Sequence, residues 1–274
     1  MIKAKKVSQV ILFTLLLAIS LLYVVPVIMM SFGSLKSQEE AIEFNLTPPK
    51  EAQWSNYAHV IERGKILNGY KNSIFLTSVS TFATIVIGGF AGITISRRRD
   101  RISSGLYYYF LFGITITLQI AATFSLLKTL NIYGTYLSAI AIFTAQRMPF
   151  TIMTFTSFVK GVPRDIDEAA IVDGAGVFRL YTQILMPILK PIILTNTIVT
   201  IISVWNNFNV ILFFLNSSKK ATISLTIYNF FGMFARDWHY VCAALVLTIL
   251  PVVLVYLWLQ RYIVAGMTSG AVKG

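Results

Sequence analysis

Two groups of polar and acidic residues stand out from an otherwise apolar chain. The first runs from Pro163 to Pro191, where Asp165, Asp167 and Glu168 precede Ala169-Ala170, then Asp173-Gly174, then Ile184-Leu185-Met186-Pro187. Acidic residues just behind Pro163 stabilise the positive end of a helix dipole, and Asp173-Gly174 supplies a turn and a left-handed stop, so the spacing predicts a helix of about ten residues. Ile166, Ala169 and Ala170 recur at i, i+3 and i+4 and form a narrow apolar face. A helix this short is unstable alone. Its two alanines permit close approach, so the face is expected either in a partner's groove or against a membrane surface. A second amphipathic stretch follows, with Phe178, Tyr181, Ile184 and Leu185.

The second group is polar and sits inside apolar runs: Gln146 and Arg147, then Trp205, Asn206, Asn207 and Asn209. A cation at mid-bilayer costs about 3 kcal/mol on insertion scales, so Arg147 is expected to face a protein interior. Two roles are open to it: binding a carboxylate on a ligand, or hydrogen-bonding a neighbouring helix. Asparagines beside an aromatic ring suit the hydroxyls and ring faces of sugars, and they suit interhelical hydrogen bonds as well. Reaction chemistry is not indicated. The chain has no HExxH, no paired carboxylate or Ser/His arrangement at membrane depth, and no GxxxxGK[ST] loop for nucleotide phosphates. No metal site is expected either. His59 and His239 lie far apart in outer segments, and the single Cys242 can build neither a disulfide nor a CxxC pair.

Both groups are held by apolar runs that read as membrane spans. Apolar residues make up 56% of the chain and charged residues 12%, far from the mix of a soluble domain. Six runs reach the roughly 20 residues that cross a bilayer: 10–30, 73–96, 105–127, 136–158, 192–215 and 240–262. Each is expected to be a helix, giving an all-α, six-span protein organised as one transmembrane domain over 1–274. The first run follows Lys3, Lys5 and Lys6 but is long for a signal peptide and is read as a retained span. Arg97, Arg98, Arg99 and Arg101 lie between spans two and three, which puts that hinge in the cytoplasm and predicts an N-in, C-in topology. The 159–191 loop then faces inward too. The net charge of +12 is of this topology-setting kind, and no nucleic-acid partner is expected. Gly88 and Gly92 form a GxxxG, read as a helix-packing signal.

On these residues the chain resembles a known family. Glu168-Ala169-Ala170, three residues, Gly174, nine residues, Ile184, one residue and Met186-Pro187 is similar to the EAA loop of binding-protein-dependent ABC importer permeases, with Met186 in place of the usual leucine. The end of the chain, through Gly266, Thr268, Gly270, Ala271, Val272 and Lys273, resembles the tail of the smaller maltose-transporter-type permease. Ser34-Leu35-Lys36, Pro149-Phe150 and Trp205-Asn206 agree with the same family. It departs at Asn207, commonly acidic there, at Asn209, commonly apolar, and at Arg147, where the family is often less basic.

The resemblance implies a sugar or oligosaccharide importer worked by alternating access in the bacterial cytoplasmic membrane. This chain would be a pore-forming subunit and not an enzyme. It would bind no cofactor, and ATP and magnesium would sit on a partner. Implied partners are a second, non-identical permease, a dimer of cytoplasmic ATPases, an extracytoplasmic sugar-binding protein and membrane lipid. The 159–191 loop would hold a coupling helix that meets the ATPase through Ile166, Glu168, Ala169, Ala170, Asp173, Gly174, Ile184 and Pro187. Gly270, Ala271, Val272 and Lys273 would reach the same subunit. A stand-alone secondary carrier or channel is the alternative, which should show inverted repeats or several intramembrane charges.

Overall fold

The computed structural model describes residues 2–98, 100–215, 217–230 and 237–271, and all regular structure among them is helical. In chain order the helices are α1 (Ile2–Gly33), α2 (Gln38–Ala41), α3 (Ser55–Arg63), α4 (Ile66–Arg97), α5 (Arg101–Gly113), α6 (Ile120–Thr129) and α7 (Tyr136–Lys160). There follow α8 (Asp165–Val172), α9 (Val177–Arg179), a π-helical stretch Leu180–Leu185, α10 (Met186–Ile188), α11 (Lys190–Trp205), α12 (Phe208–Phe214), α13 (Ile223–Thr226) and α14 (Trp238–Ala271).

Three helices among the described residues are long and apolar enough to cross a membrane: Ile11–Gly33 within α1, Ile66–Arg97, and Trp238–Trp258 within α14. A fourth apolar element is bent by 79° where Val177–Ile188 meets Lys190–Trp205. These helices correspond to the first, second and sixth predicted spans. α7 matches the fourth in position and in its 25-residue length.

The third and fifth predicted spans are interrupted instead of continuous. α5 ends at Gly113, and residues 114–119 are non-helical before α6 begins. Gly113 followed by Ile114-Thr115-Ile116-Thr117 combines the residue that least favours a helix, proline apart, with a β-branched run, which explains the break. Thr115 Oγ1 donates to Phe112 O at 2.8 Å and satisfies part of the exposed end. The fifth run breaks at Asn206-Asn207. Val210 N–H donates to Asn207 Oδ1 at 3.0 Å, so Asn207 caps α12 and starts a new helix inside the apolar run.

The chain divides into two compact units, one of Met1–Leu67 with Leu225–Pro251, the other of Asn68–Ser224 with Val252–Gly274. In the first unit Asn56 Nδ2 donates to Ser34 O and Lys36 O, both at 3.0 Å, and ties the segment after α1 to α3. Lys36 itself is buried, donating from Nζ to Asn45 Oδ1 at 2.6 Å. His239 is buried and its ring lies tilted against Tyr240, on which His59 stacks.

The second unit is built on the crossing of α4 and α7. A Cβ at Gly88 would lie 2.8 Å from Thr151 Cγ2, and one at Gly92 would lie 2.6 Å from Phe155 Cβ and 3.1 Å from Ile152 O. The two helices therefore touch backbone to side chain along the GxxxG, and Thr156 Oγ1 donates across the contact to Gly92 O at 3.2 Å. Gly113 of α5 approaches Pro149 of α7 somewhat less closely, with an added Cβ 3.1 Å from Pro149 Cγ.

Candidate functional site

Helix α8 is placed by three local features. Its first turn carries Asp165, Asp167 and Glu168, which favour the positive end of the helix dipole. At its other end Gly174 adopts φ +80°, Gly174 N–H donates to Ile171 O at 3.0 Å and Ala175 N–H donates to Ala170 O at 2.9 Å. These two bonds with a left-handed glycine make a complete Schellman stop. The helix spans 8 residues, beginning two positions later than Pro163 alone would suggest.

The third feature is a core shared with the long helices. Ala170 is buried together with Ile93 of α4, with Phe155 and Val159 of α7, and with Leu180, Leu185 and Leu189 of the following segment. Ile166, Ile184 and Met186 pack against the same cluster. The face expected in a partner's groove or against a membrane surface is thus divided: Ile166 and Ala170 serve the chain's own core, while Ala169 stays exposed. The reason is that residues four apart share one helix face, and the ends of α4 and α7 offer that face an apolar surface already in place.

An ion pair closes the clamp. Arg97 at the end of α4 lies 2.7 Å from Asp167, measured Nε to Oδ2, with side chains only 12% and 14% exposed. The Nε–H is not aimed along that line, and the directional bond runs from Nη2 to Asp167 Oδ1 at 3.1 Å. Arg97 Nη1 also donates to Val162 O at 3.0 Å, and Arg164 Nη2 donates back to Arg97 O at 3.1 Å. Further along, Tyr181 stacks on Phe90 and its hydroxyl lies 3.3 Å from Thr94 Oγ1. Helix α8 is therefore fixed to α4 through side chains and to α7 and α11 through the chain itself.

Facing away from the clamp is an apolar surface. Val172 is 86% exposed, Phe178 77%, Val177 70% and Ile171 61%, with Ala169, Glu168 and Asp173 exposed beside them. Burying a Val or Phe side chain gains about 1.5–3 kcal/mol, so leaving these four side chains in water is costly. Sequence reasoning missed Ile171, Val172 and Val177. The signal for Val172 was the helix period itself, in which positions 165, 168, 169 and 172 share a face turned away from Ile166 and Ala170. Pro187 is exposed and Ile184 half-buried at the bend that leads into α11.

The polar group within the apolar runs is not drawn together. Gln146 is exposed and Arg147 half-buried on α7, and neither side chain makes a hydrogen bond or ion pair among the described residues. Trp205 is buried with its ring tilted against Tyr70, so its face is taken within the chain. Asn207 is engaged as a cap, while Asn206 and Asn209 are exposed. Among the described residues no three His, Cys, Asp or Glu side chains group to hold a metal. Gly270 and Ala271 continue the backbone of α14, and Val272 and Lys273 lie outside the described residues.

Long apolar helices packed through glycines, with a short clamped helix exposing an apolar face at their end, define an all-helical membrane protein. Comparison with known proteins agrees. Residues 84–269 match the family model for the binding-protein-dependent transport system inner membrane component. The melibiose/raffinose/stachyose import permease protein MelC of Bacillus subtilis (strain 168) is 32% identical over 230 residues, covering 82% of this chain and 83% of that one. The trehalose/maltose transport system permease protein MalG of Thermococcus litoralis is 30% identical over 208 residues, 74% of each chain. A crystal structure of a bacterial ABC transporter involved in the import of the acidic polysaccharide alginate superposes with a TM-score of 0.83 at 19% identity, covering 94% of this chain and 97% of that one. The chain belongs to the family of binding-protein-dependent transport system inner membrane components, the permeases of ABC transporters.

Proposed function

We propose that the chain is the permease subunit of an ATP-driven, binding-protein-dependent importer of sugars or oligosaccharides in the bacterial cytoplasmic membrane. The observation that carries this reading is the two-sided character of α8, which is locked to the long helices on one side and apolar and exposed on the other. A rigid element of this kind can pass a rigid-body displacement from a soluble motor to helices in lipid. Glu168, Ala169, Val172 and Phe178 enter a groove of a cytoplasmic ATPase, while Ile166, Ala170, Asp173, Gly174, Ile184 and Pro187 hold the helix in place. The tail from Gly270 to Lys273 reaches toward the same subunit. ATP and magnesium belong to that subunit, consistent with the lack of a phosphate-binding loop in this sequence.

The chain works as one six-span domain, N-in and C-in, in which α5 with α6 and α11 with α12 act as interrupted spans. Non-helical backbone at membrane depth is tolerated where it is covered by protein or lines a water-filled path, which suits a subunit paired with a second, non-identical permease. Arg147, Gln146, Asn206 and Asn209 face that path, with Trp205 and Asn207 shaping its wall. An extracytoplasmic binding protein delivers the cargo, and the names of the relatives support a carbohydrate. Replacing Ala169 by Arg, or Val172 by Glu, is expected to abolish both co-purification of the ATPase and ATP-driven uptake, while the chain still inserts into the membrane. Retention of both activities by both variants would overturn the proposal.

A further inference from the structure

At the opposite flank of the Arg97 clamp a cavity of about 670 Å³ opens between the end of α4, the start of α5 and the end of α7. Its lining includes Ser96, Arg97, Arg98, Tyr107, Lys160 and Arg164. Four of these six are cations, and only two have carboxylate partners: Arg97 pairs with Asp167, and Arg98 with Asp100. Lys160 and Arg164 have no carboxylate within ion-pair distance among the described residues. Lys160 instead rests over the Tyr107 ring, 5.0 Å from its centroid. The cavity therefore carries an uncompensated positive charge.

The cavity sits where a membrane surface must lie, because α4 runs apolar along its length and ends in Arg97. Beside it α5 leaves Tyr108 and Leu111 exposed. With the cavity-lining Ser104 and Tyr107 they lie at i, i+3, i+4 and i+7, one face along the helix. An anionic group in the cavity would thus have an apolar track leading away from it along α5.

We propose that this cavity binds the phosphate headgroup of an anionic phospholipid, with Lys160, Arg98 and Arg164 supplying charge, and with the acyl chains lying along α5. Basic pockets between membrane helices on the cytoplasmic side suit such headgroups. The site requires only that α4 crosses the membrane, and it is independent of what the chain transports. Soluble inorganic phosphate shares the headgroup chemistry but has no use for the α5 stripe.

The test uses the full-length protein in mild detergent, mixed with phosphatidylglycerol or with phosphatidylcholine of the same acyl length, and counts retained lipid by native mass spectrometry. Phosphatidylglycerol is expected to be retained in preference, and the double variant Arg98→Gln with Lys160→Gln to weaken that preference about tenfold or more. Both side chains are exposed, so the variant should fold, and Lys160→Arg should keep the wild-type preference. Lys128→Gln, on α6, serves as the control and should change nothing. Equal retention of the two lipids, or a preference that survives the double variant, would overturn the proposal. Displacement of the retained lipid by an excess of inorganic phosphate would overturn it as well, because the cavity would then be a soluble-anion site.

Discussion

Replacing Asp167 with Asn tests whether α8 is a clamped element or a loosely attached one. The substitution keeps the side chain's size and removes only its charge, leaving Arg97 with its Nη1 bond to Val162 O. Two unit charges with centres about 4 Å apart attract by roughly 4 kcal/mol at an effective dielectric of about 20. Taking both groups out of water offsets part of that, and loss of one partner from a fully buried pair costs about 3–5 kcal/mol. Here both side chains retain some exposure and Arg97 borders a cavity, so about 2 kcal/mol is the expected loss. That energy corresponds to about a thirty-fold rise in the population of the detached helix.

Amide hydrogen exchange of residues 165–172 in the purified protein reads that population directly, with the α4–α7 crossing as an internal reference. A double-mutant cycle with Arg97→Gln should show coupling of similar size, so that the pair of substitutions costs less than the sum of the singles. If Asp167→Asn leaves exchange in α8 at the wild-type level, the ion pair does not hold the helix. The mechanical reading of the clamp then fails.

The crossing of α4 and α7 should respond to Gly92→Ala with a loss of about 1–3 kcal/mol in thermal unfolding, because the new methyl group meets Phe155 Cβ at 2.6 Å and cannot avoid the Ile152 carbonyl. Gly105→Ala in α5, where nothing lies within 4 Å, should be neutral or slightly stabilising in the same assay. Asn207→Ala should cost about 1 kcal/mol through loss of the α12 cap, while Asn207→Asp should retain stability. Transport lost equally in both Asn207 variants would instead assign that side chain to the substrate path.

What the sequence disclosed about this molecule was its local grammar. The position of α8 and its stop at Gly174 were legible because an acidic first turn and a left-handed glycine act within a few residues of themselves. The GxxxG of α4 was legible as packing for the same reason, since close approach needs only the missing side chains. Hydropathy runs misled at the third and fifth spans, because the length of an apolar stretch carries no information about a β-branched run after Gly113 or an asparagine cap at position 207. The division of the Ile166-Ala169-Ala170 face was invisible because periodicity defines a face without naming its neighbour. The Arg97–Asp167 pair joins residues 70 apart, and the arginines were read only as topology-setting charge.

The attachment of α8 to three long helices by unlike means has a genetic consequence. Its attachment to α7 and α11 includes the chain itself, which survives any substitution, whereas its link to α4 depends on side chains alone, at Ile93 and Arg97. Lesions that loosen this helix should therefore find their second-site suppressors at the far end of α4, in a part of the gene well upstream of the loop itself.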